Sequence, residues 1–376
     1  MRIFHIHSGG VHELTELPTQ VPAQGFVWIA CARPSFQAQL TEIQTHLQTL
    51  AGMQLVDLHV SDLLNAQLPS HYDYTSQYDL LVFRRLATLN GDAAEPPVAA
   101  AGSSPVKRSG PPVLRRIDTS PVGFAVFDQV LLTVHPTDCA VRDAYATRLL
   151  AALPANHNEG RSSPMPGARV PTSPADLMLR VVNLMVDGYL DLRRELTRQL
   201  DHWQNELLKP RARYVNWSSL LEARLSLHKL DEICEDQRTA VQDWIDALET
   251  WSLPDTPADL RELDLLKVRS RDVLEHIERV VHHVRRLEQS TETAVQMHFS
   301  VQSNRTNDIM RTLTALTAVF LPLNLIAGIF GMNFEFLPLI HKADGFWWAL
   351  GSMAFIALAL VALFWRKRYL ARSSRL

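Results

Sequence analysis

The sequence is poor in cysteine and carries almost no net charge. Only three cysteines, Cys31, Cys139 and Cys234, occur in 376 residues, and there is no C-x-x-C pair. A zinc ribbon or a disulfide framework is therefore excluded in favour of buried, reduced thiols. The formal net charge of −3 argues against a nucleic-acid partner, because nucleic-acid-binding domains are usually strongly basic.

Recognisable catalytic motifs are missing as well. The sequence has no Walker P-loop, no H-E-x-x-H pair and no nucleophile elbow, so an ATP-driven pump or a hydrolase has no support. We predict that the protein is not an enzyme and uses no organic cofactor. The first residues contain no apolar core of roughly 7–15 residues followed by a cleavage site, so we expect no secretory signal peptide and a cytoplasmic N-terminal region.

Two long apolar runs stand near the end of the chain. Residues 313–330 and 346–365 contain no charged side chain. At 1.5 Å per residue each helix would be about 27–30 Å long, which matches the hydrocarbon core of a bilayer. Tryptophans lie at both ends of the second run, as interfacial aromatics do. We therefore predict transmembrane helices over 309–331 and 346–365, with membrane lipid as a partner.

The charges around these runs predict the orientation. The tail, 366–376, holds five basic residues and no acidic one, whereas the loop 332–345 holds one lysine, Glu335 and Asp344. Under the positive-inside rule the tail is cytoplasmic and the loop external. Two spans then place the N-terminus in the cytoplasm too. We expect a bacterial inner (plasma) membrane protein.

Residues 1–153 predict a cytoplasmic α/β domain, because strand-like apolar runs alternate with helix-compatible stretches. The strand-like runs are residues 25–30, 80–83 and 123–134, and the helix-compatible stretches are 36–51 and 61–67. Residues 91–113 are rich in Pro, Gly, Ala and Ser and predict a flexible insertion. Residues 154–174 predict a linker.

Residues 175–308 predict a cytoplasmic helical stalk. Pro210 and the pair Pro254 and Pro257 divide it into about three helices. The last helix is predicted to run from 258 to 330, about 110 Å, and so to continue from the stalk into the first span. A helix of this length needs neighbours, so we expect bundling and oligomerisation. The predicted fold class is an α+β membrane protein with an α/β domain, stalk helices and two C-terminal spans.

The first span carries a spaced polar pattern. Asn307, Thr314, Thr317 and Asn324 follow one another at intervals of 7, 3 and 7, which places them on one helical face. Polar residues inside a membrane usually face a bundle interior or a water path. Hydrogen bonding between helices explains any single one, whereas four on one stripe favour a pore.

The surrounding motifs resemble those of the CorA-type divalent metal-ion transporters. The chain reads N-x-x-N-x-x-M-x-x-L-T from Asn304 to Thr314, then Phe-Leu-Pro ending at Pro322, then Gly331-Met332-Asn333-Phe334 before a short loop, a second span and a basic tail. Further likeness occurs in three upstream strand-like segments, residues 26–29, 78–83 and 131–135. The resemblance covers most of the chain outside the insertion.

The resemblance implies a homopentamer whose first spans line a central pore and whose stalk helices form a funnel. Gly331, Met332 and Asn333 would form the external entrance, where a hydrated divalent cation, typically Mg²⁺, is held. Glu335 would concentrate cations at the mouth. Many relatives carry a second Glu where this chain has Leu339.

The resemblance also assigns roles within the pore. Met310, Leu313 and Leu321 match positions of an apolar constriction, which can gate by dewetting; simple packing is the alternative for each. Asn324 stands where threonine is more usual.

An intracellular Mg²⁺ sensor is the regulatory role that the resemblance implies. Asp272 matches an acidic position that binds Mg²⁺ between subunits, whereas Gln296 replaces a second acidic position. A solvated surface carboxylate is the alternative for Asp272.

Two other groups of residues invite a metal interpretation. Residues 231–249 hold seven acidic side chains against Arg238 alone, which predicts either a solvated helix face or a cation-attracting surface at the base of the funnel. Fifteen histidines include His276 and His283, seven apart, and the pair His5-x-His7; ordinary surface histidines are the commoner explanation.

Three functions follow. The first is passive, channel-like transport of divalent cations, most of all Mg²⁺, with Co²⁺ and Ni²⁺ as further substrates. The second is Zn²⁺ transport of the ZntB type, although such relatives usually lack the Phe-Glu pattern at Phe334-Glu335. The third is a membrane-anchored cytoplasmic scaffold or sensor, which needs neither a polar stripe nor Gly-Met-Asn.

Overall fold

The computed structural model describes residues 1–8, 10–20, 22–87, 117–137, 139–151, 170–208, 217–251, 256–332 and 343–366. The predicted insertion 91–113, most of the linker 154–174, most of the loop 332–345 and nearly all of the basic tail 366–376 lie outside these residues. The chain divides into two compact units, Met1–Glu292 and Thr293–Leu376.

Seven strands and eight helices make up the described part of the chain. The strands are β1 (Arg2–His7), β2 (Gly10–Leu14), β3 (Phe26–Ala32), β4 (His71–Tyr74), β5 (Asp79–Leu86), β6 (Thr119–Val126) and β7 (Val130–His135). The helices are α1 (Arg33–Ala38), α2 (Leu40–Ala51), α3 (Asp57–Leu64), α4 (Ala140–Ala151), α5 (Pro174–Leu208), α6 (Trp217–Thr250), α7 (Pro257–Phe330) and α8 (Ala343–Arg366).

The strands of the first unit form one sheet in the order β2-β1-β3-β7-β6-β5-β4. Only the central pair β3 and β7 is parallel, and the other neighbours are antiparallel. The predicted mixture of strands and helices is thus confirmed as a mixed sheet with helices.

Helices cover both faces of this sheet. Along β3, Phe26, Trp28 and Ala30 belong to one buried cluster, which also contains residues of α4 to α7. The alternate residues Val27 and Ile29 belong to a second cluster with residues of α1 to α3. Because successive side chains of a strand point to opposite faces, a strand buried on both sides is apolar throughout.

The local boundaries differ from the sequence prediction in two places. The apolar run 123–134 is two strands, because the polar Asp128 and Gln129 form a turn that is closed by the Phe127 N–H donating to the Val130 carbonyl at 2.9 Å. The helix predicted over 36–51 is two helices, α1 and α2, which meet at Gln39.

The three long helices are where the prolines predicted them. Helices α5, α6 and α7 are separated at the two proline-containing breaks, and α7 is 74 residues long. The cysteine prediction is also confirmed: Cys31, Cys139 and Cys234 are buried and free. Burial raises the pKa of the Cys31 thiol to about 12, which keeps it protonated and unreactive.

Candidate functional site: the polar stripe of α7

The C-terminal part of α7 and nearly all of α8 are long and apolar enough to cross a membrane. Few side chains in either apolar stretch are covered by the rest of the chain. An apolar helix that a protein does not bury in its own core needs lipid or a partner around it.

The four polar residues of the predicted stripe lie on α7 and are exposed: Asn307, Thr314, Thr317 and Asn324. At about 100° per residue they occupy an arc of roughly 100° on the helix. The three apolar residues predicted to constrict a pore fall in or beside the same arc. Met310, Leu313 and Leu321 are 56%, 55% and 69% exposed.

The opposite side of the same helix is the side that the chain covers. Ala315 is 4% exposed, and helical geometry places it more than 90° from the middle of the stripe. The partly covered positions that share its side are Ala318, Val319, Pro322, Leu323 and Ile326. The chain therefore covers one side of this part of α7 and leaves the polar stripe, on the other side, exposed.

The two threonines of the stripe have defined hydroxyl orientations. Thr314 Oγ1 donates to the Met310 carbonyl at 2.7 Å, and Thr317 Oγ1 donates to the Leu313 carbonyl at 2.9 Å. A hydroxyl that gives its hydrogen to the helix backbone keeps its lone pairs for an outside donor or cation. Each threonine thus presents an oxygen acceptor from an uncharged side chain.

Helix α7 ends at the glycine of the predicted entrance. The Gly331 N–H donates to the Ala327 carbonyl at 2.9 Å and the Met332 N–H to the Ile329 carbonyl at 3.3 Å. A Cβ at position 331 would lie 3.0 Å from the Ala327 oxygen, so glycine permits this close approach. Asn333, Glu335 and Leu339 lie outside the described residues.

Asp272 lies on a face of α7 that sequence reasoning did not single out. Its carboxylate is 59% exposed and lies 3.8 Å from Nε2 of His276, four residues along the helix. Leu265 and Val268, which share this face, are 53% and 61% exposed. The sequence signal for this face is a pair of apolar residues that do not follow the helical repeat of the buried positions of α7. Gln296 is also exposed.

The acidic stretch 231–249 is less negative than its sequence suggests. Arg285 of α7 contacts both Asp231, at 3.1 Å, and Glu235. Arg238 hydrogen-bonds Glu235 at 2.7 Å, and this bond lowers the pKa of the Glu235 carboxyl. Burial raises the pKa of the neighbouring Asp236. These contacts could not be predicted from the sequence, because Arg285 lies on α7 and its two acidic partners lie on α6, about 50 residues earlier.

Two histidines of α7, His276 and His283, contact different side chains. His283 Nε2 lies 2.8 Å from Thr197 Oγ1, and burial lowers the pKa of His283. His276 contacts Asp272 instead. Within the described ranges, no group of three or more His, Cys, Asp or Glu side chains is arranged to hold a metal ion.

The family follows from the match over almost the whole chain. The model of a family described as CorA-like Mg²⁺ transporter protein matches residues 23–368. The chain belongs to the CorA family. Members of the CorA family are membrane transporters, and the resemblance inferred from the motifs is confirmed.

Among CorA-family proteins, the cobalt/magnesium transport protein CorA of Thermotoga maritima is 26% identical over 200 residues, 52% of each protein. The chain thus spans about half the length of this relative. The complete CorA magnesium transporter structure from Methanocaldococcus jannaschii matches with a TM-score of 0.70 at 18% identity, covering 97% of this chain and 98% of that one.

The fold is also shared with a second solved structure. The cytoplasmic domain of ZntB from Vibrio parahaemolyticus matches with a TM-score of 0.53 at 13% identity, over 82% of this chain and 98% of that one. At such identities these likenesses show the fold alone.

Proposed function

We propose that this protein transports divalent metal cations passively across the bacterial inner membrane, with Mg²⁺ as the principal ion. The observation that carries the proposal is the polar stripe of Asn307, Thr314, Thr317 and Asn324 on the uncovered side of an apolar helix end. A simple anchor does not need such a stripe. Relatives named as cobalt/magnesium transport proteins support the ion class.

The chemistry of the stripe suits a hydrated cation. Mg²⁺ dehydrates reluctantly and prefers octahedral oxygen ligands. Amide and hydroxyl oxygens without fixed charge can accept hydrogen bonds from its water shell, and they release it again because no carboxylate holds it. Conduction requires such weak, repeated binding.

The external entrance and the gate complete the proposed path. Gly331, Met332 and Asn333 form the entrance, where the Asn333 carbonyl contacts the hydration shell, and Glu335 attracts cations to it. Met310, Leu313 and Leu321 form an apolar constriction that closes by dewetting.

The proposed assembly is a homopentamer in which five α7 helices surround the pore. One chain presents its stripe outward, so several copies are needed to enclose a water path. The exposed Leu265 and Val268 on the cytoplasmic part of α7 support contact between copies, because a monomer gains nothing by exposing them. The proposed orientation is the one predicted from the charges, with the loop outside and both the N-terminus and the basic tail in the cytoplasm.

Uptake by the purified protein in liposomes tests the proposal. With a Mg²⁺-sensitive dye inside, we expect uptake down a gradient without ATP, and its near-complete loss in Asn333→Ala. Competition by Co²⁺, Ni²⁺ and Zn²⁺ ranks the ions, and dominant competition by Zn²⁺ would favour the ZntB type. If the protein conducts no divalent cation and Asn333→Ala changes nothing, the scaffold or sensor function replaces the transporter.

We propose in addition that Asp272 binds intracellular Mg²⁺ and that this binding favours the closed state. A ligand that binds one state better shifts the population toward it. Asp272→Ala should therefore weaken inhibition of uptake by Mg²⁺ on the cytoplasmic side by about tenfold in concentration, since it removes a ligand from each copy. Asp264→Ala, another exposed carboxylate of α7, is the control. Equal inhibition of all three proteins contradicts the assignment.

A further inference from the structure

A small cavity between the start of α5 and the first turns of α7 is lined by charged side chains of both signs. Its volume is about 90 Å³. The charged lining residues are Asp176 and Arg180 of α5 and Glu262 and Arg269 of α7. Two carboxylates and two guanidinium groups share one cavity in the first unit, so their formal charges balance.

Three of the four charged groups pair with one another. The Asp176 side chain is 2% exposed, and its Oδ2 atom lies 3.0 Å from Nη2 of Arg180. Arg269 pairs with the Oδ1 atom of the same carboxylate. The Thr172 N–H donates to Asp176 Oδ2 at 3.2 Å. One buried carboxylate thus holds two guanidinium groups, and the three side chains together keep one positive charge.

Glu262, the fourth charged group, has a buried oxygen that the chain does not satisfy. Its Oε1 atom is shielded from solvent and has no hydrogen-bond partner among the residues that the structure describes. Nearly all buried polar atoms in native proteins have a partner, because an unpaired one keeps the full cost of its lost hydration. A carboxylate oxygen can only accept, so the Oε1 atom needs a donor from outside the described chain.

The charges and the volume of the cavity define the ligand. The volume equals that of about three water molecules in the liquid, which is room for an organic molecule of about five or six heavy atoms. The Glu262 carboxylate suits an ammonium group, and the surplus positive charge of Arg180 and Arg269 suits a carboxylate. Helical side chains lean toward the N-terminus, so Arg269 reaches back toward Glu262 from two turns along α7. Leu266, between them, adds an apolar contact.

We propose that this cavity binds a small zwitterionic α-amino acid of the size of glycine or alanine, with its ammonium group at Glu262 and its carboxylate at Arg180 and Arg269. An amine alone is repelled by the two guanidinium groups, and a carboxylate alone is repelled by Glu262, so the zwitterion is favoured over either half. Water fills the cavity when the ligand is absent. The inference does not depend on the proposed transport function.

Calorimetric titration of glycine and of alanine into the full-length protein in detergent tests the site. The assembled protein is used because Leu265, which also lines the cavity, is proposed above to contact another copy. We expect one saturable site per chain. Methylamine and acetate should each bind at least about tenfold more weakly, since each lacks one charged hydrogen-bonding group. The proposal is wrong if neither amino acid saturates a site, or if methylamine or acetate binds as well as glycine.

Glu262→Gln and Asp264→Asn form a matched pair of variants. Each turns one carboxylate of α7 into an amide, but Asp264 is exposed and does not line the cavity. Glu262→Gln should weaken glycine binding at least about tenfold, whereas Asp264→Asn should bind as the unaltered protein does. Binding that survives Glu262→Gln, or that falls equally in Asp264→Asn, overturns the proposal.

A change of shape without a change of charge provides a second test. Val170 lines the cavity and is partly buried, so Val170→Phe should fill the space and abolish glycine binding. Glycine should raise the unfolding temperature of the unaltered protein and of Asp264→Asn, because a ligand of the folded state stabilises it. It should not raise that of Val170→Phe. An equal rise in all three proteins would show general solvent stabilisation and contradict a site in the cavity.

Discussion

Replacing Thr314 and Thr317 together by valine is expected to reduce Mg²⁺ uptake by at least about tenfold. Valine keeps the shape of threonine but removes the hydroxyl oxygen. In a pentamer ten acceptors would leave the pore, and each hydrogen bond is worth about 0.5–1.5 kcal/mol. A rise of about 1.4 kcal/mol in the barrier to passage is enough for a tenfold loss of rate. Initial uptake rates in liposomes measure the effect.

Thr312 supplies a control with the same chemistry on another side of α7. Its hydroxyl donates to the Asp308 carbonyl at 2.9 Å, as the stripe threonines do to their own carbonyls. It lies more than 90° from the middle of the stripe. Thr312→Val should keep normal uptake. A similar loss in both proteins would mean that the back-bonded hydroxyls support the helix rather than the ion path.

Helices and apolar spans could be predicted from the sequence because their signals are local. A run without charge, such as 346–365, and a proline pair, such as Pro254 and Pro257, act on the segment in which they occur. The same reasoning missed β4, and it merged β6 with β7. In those places the outcome depends on a short turn and on pairing between strands, which periodicity does not report.

Contacts between distant segments could not be predicted. Arg285 of α7 pairs with Asp231 and Glu235 of α6. The prediction for the acidic stretch 231–249 therefore counted these two carboxylates without their basic partner. His12 joins His5 only through the register of β1 and β2. The stripe of α7 is different, because all of its members lie on one helix and the helical repeat alone fixes their common face.

Asp176→Ala is expected to lower the stability of the first unit by about 3–5 kcal/mol. The Asp176 side chain is 2% exposed and lies at the start of α5. It pairs with Arg180 at 3.0 Å and with Arg269 of α7, and it accepts the Thr172 N–H at 3.2 Å. Removing one partner of a buried ion pair leaves uncompensated charge, which costs about this much.

Thermal unfolding of the full-length protein in detergent measures the loss. A change of this size corresponds to a fall of very roughly 6–20 °C in the unfolding temperature. Asp191→Ala is the matched control on the same helix, because Asp191 and Arg194 form a pair that is 78% and 68% exposed. An exposed pair is worth at most about 1 kcal/mol.

The combination Asp176→Ala with Arg269→Met distinguishes the buried charge from simple loss of packing. If the cost comes from the lost ion pair between Asp176 and Arg269, the second change should recover part of the stability, because methionine fills similar space without charge. If the cost comes from lost packing, the two effects should add. If the Asp176→Ala and Asp191→Ala proteins unfold at the same temperature, the ion pair of Asp176 with Arg269 does not stabilise the packing of α5 against α7.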